Sequence, residues 1–230
     1  MMQVNDISVS YGAGPIVSHV SFEVVPEDKL IILGRNGVGK TTLLKGIMGI
    51  LAIKGSLNFN NENITGYSTS QRSRCGLAYV PQGREIFPDL TVEENLQMGA
   101  LSHPVHFKDK LAEVLEYFPI LTEHMKRKGG VLSGGQQQQL AIARAFMGDP
   151  SILMLDEPTE GIQPNIVSHI SSILTRYHQE KHVPLIVVEQ NLKFARRLGN
   201  KFLIIQKGTI VAAGPIENLT NEVSIRYLSV

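Results

Sequence analysis

The stretch KLIILGRNGVGKTT, residues 29–42, decides the fold of this chain. Its first five residues form a short apolar run, which predicts a buried strand. Residues 34–41 match the pattern G-x-x-x-x-G-K-[ST], and an apolar repeat at helical spacing follows over residues 43–48. A strand, a glycine-rich turn and a helix in this order form the context in which main-chain N–H groups converge on phosphate oxygens. The stretch therefore predicts a phosphate-binding loop between a strand and a helix.

Each residue type in this loop has a chemical use at a phosphate chain. Glycines leave room for the main chain to approach phosphate oxygens closely. Lys40 can reach the β- and γ-phosphates, and the Thr41 hydroxyl can bind Mg²⁺. A chance glycine-rich turn is the competing interpretation, and an eight-residue match in the required context disfavours it. The candidate nucleotide contacts are Gly34, Arg35, Asn36, Gly37, Val38, Gly39, Lys40, Thr41 and Thr42.

A pair of carboxylates supplies a second part of such a site. The buried run SILML, residues 151–155, is followed directly by Asp156 and Glu157. Asp156 is suited to hold the metal, and Glu157 is suited to polarise an attacking water. Taken alone, these charges are equally consistent with a solvated strand end. Together with the glycine loop they predict a nucleoside triphosphatase.

A GTPase and a small-molecule kinase are the competing classes of nucleotide-binding protein. A GTPase is disfavoured because the chain has no Asn-Lys-x-Asp element, and residues 200–203 (NKFL) do not supply one. A small-molecule kinase stays possible on the loop alone, but it would not need a water-activating carboxylate beside Asp156.

The composition limits which kinds of partner and which cellular compartment fit this chain. The 230 residues are 43% hydrophobic, enough for an ordinary core, and 22 basic against 21 acidic residues argue against nucleic acid as a partner. The single cysteine, Cys75, excludes an intrachain disulfide and fits a reducing compartment. The N-terminus does not resemble a signal peptide, and no apolar run predicts a membrane span. His103 and His106 are interpreted as loop residues rather than as a metal site.

Buried strands alternate with helices, which predicts an α/β fold with a mostly parallel sheet. An antiparallel hairpin that turns at Gly12-Ala13-Gly14 precedes this sheet, and a helical stretch interrupts it. Strands are predicted at residues 3–9, 16–25, 29–33, about 55–60, 77–80, 151–155, 184–188, 201–206 and 209–213. Helices are predicted after residue 42, within 91–148, at 164–180, and near Pro215 and Asn221, with Thr91 and Glu94 forming a capping box.

A second glycine turn, LSGGQ at residues 132–136, opens another helical pattern. Ser133 is a good N-cap, and Gly134 and Gly135 leave main-chain amides open at a positive helix end. An ordinary capped helix is the competing interpretation. The N-terminal end of this helix is suited to bind an anion. The glycine loop at residues 34–41, however, already accounts for the triphosphate bound by this chain.

The motifs GRNGVGKTT, LSGGQ and LDEPT together resemble the ATP-binding cassette (ABC) family, and their order and spacing match over essentially the whole chain. The resemblance implies one ABC ATPase domain over residues 1–230, with a core at 1–83 and 149–230 and an inserted helical subdomain at about 84–148. It implies ATP and Mg²⁺ as cofactors. It also implies a head-to-tail dimer in which Ser133, Gly134, Gly135 and Gln136 contact the ATP held by the partner.

The resemblance assigns three more residues. Tyr11 occupies the place of an aromatic residue that stacks on adenine, although it could be only a strand residue. Gln82, in YVPQG, occupies the place of a glutamine that binds Mg²⁺ and senses the attacking water. Gln190 stands where the family usually has a histidine at the γ-phosphate, and it cannot carry the charge of an imidazolium. The turn EGIQ, residues 160–163, also lacks the usual aspartate.

The stretches VPQGREIFP, LDEPTEGIQP and VVEQN resemble ATP-binding subunits of importers for branched-chain amino acids, and especially for urea and short amides. Such subunits work with integral membrane permease subunits, a second ATP-binding subunit and, indirectly, a periplasmic binding protein. The resemblance implies the smaller ATPase subunit, without a regulatory domain after Tyr227. It implies a peripheral position at the cytoplasmic face of the bacterial plasma membrane.

A soluble cassette ATPase that remodels a cytosolic protein assembly is the alternative. Its phosphate chemistry would be the same, so the site residues cannot distinguish it from an importer subunit. A cassette ATPase of nucleic-acid repair or translation is disfavoured, because such proteins have long insertions or tandem cassettes and this chain has neither.

Overall fold

The computed structural model describes residues 1–12, 14–101 and 107–228. Ala13 of the predicted first turn lies outside this range, and so do His103 and His106, for which a loop was predicted. The described strands are β1 (Met2–Ser10), β2 (Pro15–Val24), β3 (Lys29–Leu33), β4 (Ile53–Phe59), β5 (Glu62–Asn63), β6 (Leu77–Val80), β7 (Ile152–Asp156), β8 (Leu185–Glu189), β9 (Lys201–Gln206) and β10 (Thr209–Pro215).

The strands form two sheets. In the larger sheet the order is β10-β9-β3-β8-β7-β6, and every neighbouring pair except β10–β9 is parallel. The smaller sheet has the order β2-β1-β4-β5 and is antiparallel. The predicted fold class, a mostly parallel sheet with an N-terminal antiparallel sheet and helices, is confirmed.

The described helices are α1 (Lys40–Met48), α2 (Thr69–Arg74), α3 (Val92–Ala100), α4 (Phe107–Tyr117), α5 (Pro119–Thr122), α6 (Gly134–Met147), α7 (Pro164–Lys181), α8 (Leu192–Leu198) and α9 (Asn221–Leu228). The predicted capping box at the start of α3 is confirmed: the Thr91 hydroxyl accepts from the Glu94 N–H at 3.2 Å, and the Glu94 carboxylate accepts from the Thr91 N–H at 2.7 Å.

The helix predicted near Pro215 is wrong. Pro215 is still paired with Lys201 of β9, and the N–H of Ile216 bonds to the carbonyl of Asn200. Because the chain stays attached to the sheet at this point, only a single 3₁₀ turn, Ile216–Asn218, fits before α9 begins. Helix α2 was not predicted from the sequence.

The side chains of β3 alternate between two hydrophobic cores, as expected for a strand covered on both faces. Ile31 and Leu33 face the core that α6, α7 and α8 complete. Leu30 and Ile32 face the core shared with α1 and the antiparallel sheet. The strand before the glycine loop is therefore fixed from both sides.

Aromatic side chains join the helices on one face of the sheet. Phe146 of α6 stacks on Tyr177 of α7 with ring centroids 3.6 Å apart. Tyr117 of α4 packs edge-on against both rings. These aromatic contacts hold α4 and α6 against α7.

Arg72 of α2 has a fully buried guanidinium that bonds only to main-chain oxygens in the described structure. It donates to the carbonyls of Gly46 at 2.8 Å and Ile47 at 2.7 Å, at the C-terminal end of α1. It also donates to the carbonyls of Thr65 at 2.7 Å and Tyr67 at 3.1 Å. Burial lowers the pKa of Arg72, but these acceptors satisfy the charge. The helix after the glycine loop is thus tied to α2.

None of the described helices has the length and apolar character needed to cross a bilayer.

Candidate nucleotide site

The carboxyl ends of the central parallel strands bring the predicted site residues together. Leu33, the last residue of β3, pairs with Glu189 of β8, and Asp156 of β7 pairs with Val188. The residues that follow β3, β7 and β8 therefore lie at one edge of the sheet, where ligands bind in open α/β folds.

Glycines in the loop after β3 meet two separate steric demands. Gly39, directly before α1, has a φ of 106°, and a Cβ there would lie 2.9 Å from Val17 Cγ2. A Cβ on Gly34 would lie 2.6 Å from the carbonyl oxygen of Ile205. Both positions require glycine, so the loop is held in a shape that presents its N–H groups at the start of α1.

Lys40 is buried at this loop, with 4% of its surface exposed. Its ammonium donates to the Arg35 carbonyl at 3.0 Å and lies 3.3 Å from Glu157 Oε1. The lysine thus places a positive charge between the loop and the strand-end carboxylates. This position is suited to a triphosphate lying along the loop.

Asp156 accepts two hydroxyl hydrogen bonds. Thr41 donates to Oδ1 and Tyr79 donates to Oδ2, both at 3.0 Å. Burial raises the pKa of Asp156, and the two hydrogen bonds oppose that rise. Burial also raises the pKa of the Tyr79 phenol, which therefore remains a donor at neutral pH.

The oxygens of Thr41 and Asp156 are hard donors that suit Mg²⁺, which commonly takes one or two protein oxygens and completes its shell with phosphate and water. Within the described residues no three His, Cys, Asp or Glu side chains converge as a metal cage. The oxygens of Thr41 and Asp156 fit a metal that arrives with phosphate and water as its other ligands.

Glu157 and Gln190 are in direct contact. The Gln190 amide nitrogen lies 2.9 Å from Glu157 Oε1, 3.0 Å from Oε2 and 2.6 Å from the Asn36 side-chain oxygen. Glu157 itself has a φ of 46°, and its N–H bonds to the Val188 carbonyl at 2.9 Å. The glutamine that replaces the usual histidine therefore links the glycine loop to the water-activating candidate.

Gln82 and Tyr11 lie at the margin of this network. Gln82 is exposed and donates to Glu160 Oε2 at 2.9 Å, whereas the hydrogen bonds of Asp156 come from Thr41 and Tyr79. Tyr11 follows β1 directly and is 56% exposed, so its side chain is accessible from solvent.

The second glycine turn is a capped helix start. The Ser133 hydroxyl accepts from the Gln136 N–H at 3.4 Å, and the Gln136 side chain accepts from the Ser133 N–H at 2.9 Å. A Cβ on Gly134 would lie 3.0 Å from the Arg84 guanidinium, and a Cβ on Gly135 would lie 3.1 Å from Ile166, so both glycines lie in close contact with neighbouring side chains. Among the described residues, its side-chain hydrogen bonds do not lead to the glycine loop at 34–42.

The glutamines after this turn hold it in place, a role that the sequence did not indicate. Gln137 accepts from Arg84 at 3.1 Å and donates to the Gly129 carbonyl at 3.4 Å. Gln139 is buried and donates to the Gly135 carbonyl at 3.3 Å.

The sequence reasoning also missed Tyr79 and Glu189. Only the position of Tyr79 near a strand end could have signalled its contact with Asp156.

Comparison with known proteins places this geometry in a family. A profile of the ABC transporter family matches residues 17–160, more than half of the 230 residues. The chain belongs to the ABC transporter family. It is an ATPase subunit, and ATP binding and hydrolysis coupled to transport are the activity of this family. The family resemblance read from the three motifs is thereby confirmed.

Several curated ABC proteins are similar over nearly their full length. The high-affinity branched-chain amino acid transport ATP-binding protein BraG of Pseudomonas aeruginosa is 38% identical, with 92% of this chain and 91% of the relative covered. The probable branched-chain amino acid transport protein LivF of Archaeoglobus fulgidus is 34% identical, with 92% of each covered. The lipopolysaccharide export protein LptB of Haemophilus influenzae is 30% identical, with 98% and 95% covered.

Solved structures agree on the fold. The ADP conformation of an ATP-binding cassette from an ABC transporter matches with a TM-score of 0.83 at 26% identity, covering 95% of this chain and 93% of that one. A nucleotide-free cassette from an ABC transporter matches with a TM-score of 0.82 at 25% identity, covering 100% and 95%.

Replacing Asp156 by asparagine is expected to raise the thermal stability of the nucleotide-free chain and to abolish ATP hydrolysis. Because burial raises its folded-state pKa, the ionised carboxylate destabilises the fold above that pKa. This penalty is lost as the pH falls through the raised pKa, since the folded chain then binds the proton. The gain in melting temperature should therefore be largest at high pH and shrink on acidification.

Thermal unfolding followed from about pH 8 down to about pH 4, near the ordinary pKa of an aspartate, measures this gain. Asp28→Asn is the matched control. It removes a buried carboxylate that accepts from the Lys201 ammonium at 2.9 Å, and it should lower the melting temperature. An equal loss of stability in both variants would contradict the assignment of Asp156 as an unfavourable buried charge.

Proposed function

We propose that this chain is the ATP-hydrolysing subunit of an ABC importer for branched-chain amino acids or for urea and short amides. The similarity to BraG, at 38% identity over nearly the full length of both chains, is the observation that carries this proposal. A lipopolysaccharide export protein is also among the relatives, at 30% identity. The proposal of import rather than export therefore rests on the higher identity to BraG. Urea and short amides are included because the stretches VPQGREIFP, LDEPTEGIQP and VVEQN resemble those of importer subunits for such cargo.

In the proposed site, the glycine loop and Lys40 bind the β- and γ-phosphates of ATP. Thr41 and Asp156, with Gln82, are the residues that would hold Mg²⁺, which neutralises phosphate charge when it is bound. Glu157 orients the attacking water and accepts its proton. Gln190 donates from its amide and so holds the Glu157 carboxylate beside the loop, in the place where other members use an imidazole. Tyr11 stacks on the adenine.

The second glycine turn completes a site on another subunit. Its Ser133 cap and glycines form a positive helix end, while the triphosphate of the same chain is assigned to the loop after β3. We infer that Ser133, Gly134, Gly135 and Gln136 meet the γ-phosphate held by a partner ATPase subunit in a head-to-tail dimer. The partner is a second, different ATPase chain or another copy of this one.

We propose that the membrane partner docks in a groove between the core and the helical subdomain. The core comprises residues 1–83 and 149–230, and the helical subdomain comprises about 84–148. This groove has a volume of about 520 Å³ and runs from α2 and β6 to α3 and α6. Apolar side chains lie exposed along it: Ile50 at 49%, Phe87 at 41%, Met98 at 42% and Leu101 at 71%. Exposed apolar groups next to a groove are typical of a surface that binds another chain.

A cytoplasmic segment of an integral membrane permease is the occupant that we propose for this groove. The chain would then sit peripherally at the cytoplasmic face of the bacterial plasma membrane. A periplasmic binding protein would act on the same transporter from the other side.

The groove is tested by purifying the tagged chain from detergent-solubilised membranes. The wild-type chain should bring down a polytopic membrane protein, and Met98→Glu should lose it because a charge would enter an apolar contact. Ile225→Glu, on α9 and 67% exposed, is the control and should retain the partner. Recovery of the wild-type chain wholly in the soluble fraction, with a cytosolic partner, would instead support a soluble remodelling ATPase.

Hydrolysis should depend on Glu157 more than on Gln190. Glu157→Gln removes the proton acceptor and should reduce turnover by about 10²-fold or more. Gln190→Ala removes a positioning amide and should leave measurable turnover. Steady-state phosphate release by the purified complex measures both. Turnover that is lost in Gln190→Ala and kept in Glu157→Gln would refute the assignment.

Ser133→Arg should leave ATP binding by the isolated chain nearly unchanged and abolish ATP-driven dimer closure. Equilibrium binding and light scattering in the presence of ATP measure the two effects. Ser68→Arg is the matched control, since Ser68 caps α2 in the same capping box with Gln71 but lies away from the second turn. A collapse of ATP affinity in the isolated Ser133→Arg chain would show that the turn acts on its own nucleotide.

A further inference from the structure

Glu189, the last residue of β8, is a buried carboxylate that the proposed roles leave unused. Only 3% of its surface is exposed, although it is charged and borders the site. A charge buried to this extent requires partners, because an unpaired one would oppose folding strongly.

Every polar contact of the Glu189 carboxylate in the described structure is a donor. Oε1 accepts from the Thr159 N–H at 3.1 Å and from the Thr159 hydroxyl at 2.7 Å. Oε2 accepts from the N–H groups of Gln190 at 3.0 Å and Asn191 at 3.1 Å. A protonated acid would present a hydrogen to one of these donors, so the arrangement is built for the ionised form. These bonds oppose the rise in pKa that burial causes.

The four donors come from two different loops. Thr159 follows Glu157 in the connection from β7 to α7, and Gln190 and Asn191 form the connection from β8 to α8. Asn191 also caps α8, accepting from the N–H groups of Lys193 and Phe194 at 3.1 Å. Glu189 therefore links the loop that carries Glu157 to the loop that carries Gln190.

These contacts close a ring around Glu157. From one side Gln190 donates its side-chain amide to Glu157, and its main-chain N–H bonds to Glu189. From the other side Thr159, which also bonds to Glu189, lies in the same turn as Glu157. Glu157 has a φ of 46°, a conformation that a non-glycine residue keeps only when its surroundings enforce it.

We propose that Glu189 is a positioning residue that fixes the Glu157 turn and the Gln190 loop as one unit, and so holds the Glu157 carboxylate ready for hydrolysis. The inference rests on the proposed function, because it assumes that Glu157 orients the attacking water. Since Glu189 touches no residue of the glycine loop among its hydrogen-bond partners, it should affect the rate of hydrolysis rather than the binding of ATP.

The first test replaces Glu189 by glutamine. The amide keeps the size but turns one acceptor into a donor that faces N–H or O–H groups. In steady-state hydrolysis of MgATP by the complex purified through this chain, kcat should fall by about tenfold or more, with KM changed by less than about threefold. Asp28→Asn, a buried carboxylate remote from the site, is the control and should keep kcat per folded molecule.

A second pair of variants covers the case in which Glu189→Gln fails to fold. Thr159→Val removes one hydroxyl donor and keeps the side-chain shape, and it should lower kcat without changing KM. Thr159→Ser retains the hydroxyl and should restore kcat towards the wild-type value. Combining Thr159→Val with Gln190→Ala should cost less than the product of the separate losses, because both act through the same ring.

The outcomes separate this inference from the proposed function. A wild-type kcat in both Glu189→Gln and Thr159→Val, together with an inactive Glu157→Gln, would overturn the positioning role and leave the proposed function standing. Equal losses of kcat in Thr159→Val and Thr159→Ser would overturn it as well. Full turnover in Glu157→Gln would overturn the role assigned to Glu157, and only a wild-type complex without ATP hydrolysis would overturn the proposed function itself.

Discussion

The parallel pairing of β3 between β8 and β9 is the constraint on which the site depends. Each strand of this central trio is buried on both faces, so neither its register nor its direction can change without moving a hydrophobic core. The register sets Leu33 beside Glu189, and the next pairing sets Asp156 beside Val188. Residues far apart in the sequence therefore meet at one edge of the sheet, and the pairing of these strands is enough to bring them together.

The parts of the fold that were predictable are those with local signals. Apolar runs indicated the buried strands, and the glycine loop, the carboxylate pair and the capping box of Thr91 and Glu94 each consist of residues close together in the sequence. Helix α2 was missed although the Ser68–Gln71 capping box is a local signal for it, because the helix is short and its Arg72 is satisfied by carbonyls of other elements. The helix expected near Pro215 failed for a similar reason, since pairing with Lys201 outweighed the local preference of the sequence.

The same distinction applies to the site. The side chains of Lys40, Thr41, Asp156, Glu157 and Gln190 were identified from motifs, and the structure brings them together. Tyr79 contacts Asp156, and Glu189 contacts Thr159 as well as its own neighbours, so only the tertiary structure shows these distant partners. The site also gathers buried charges in a small volume, which favours tight binding of a charged ligand and opposes folding in its absence.

Arg72 has a consequence for how freely two segments of this molecule can move against each other. The guanidinium joins the end of the helix that begins at the phosphate loop to the segment that lines the groove, and it does so through several short bonds to main-chain atoms rather than through side chains. Because the acceptors are main-chain oxygens of α1 and of the segment before α2, a shift of one segment against the other would break hydrogen bonds to a buried charge. The end of α1 and the groove wall are therefore tied together, and separating them would cost free energy.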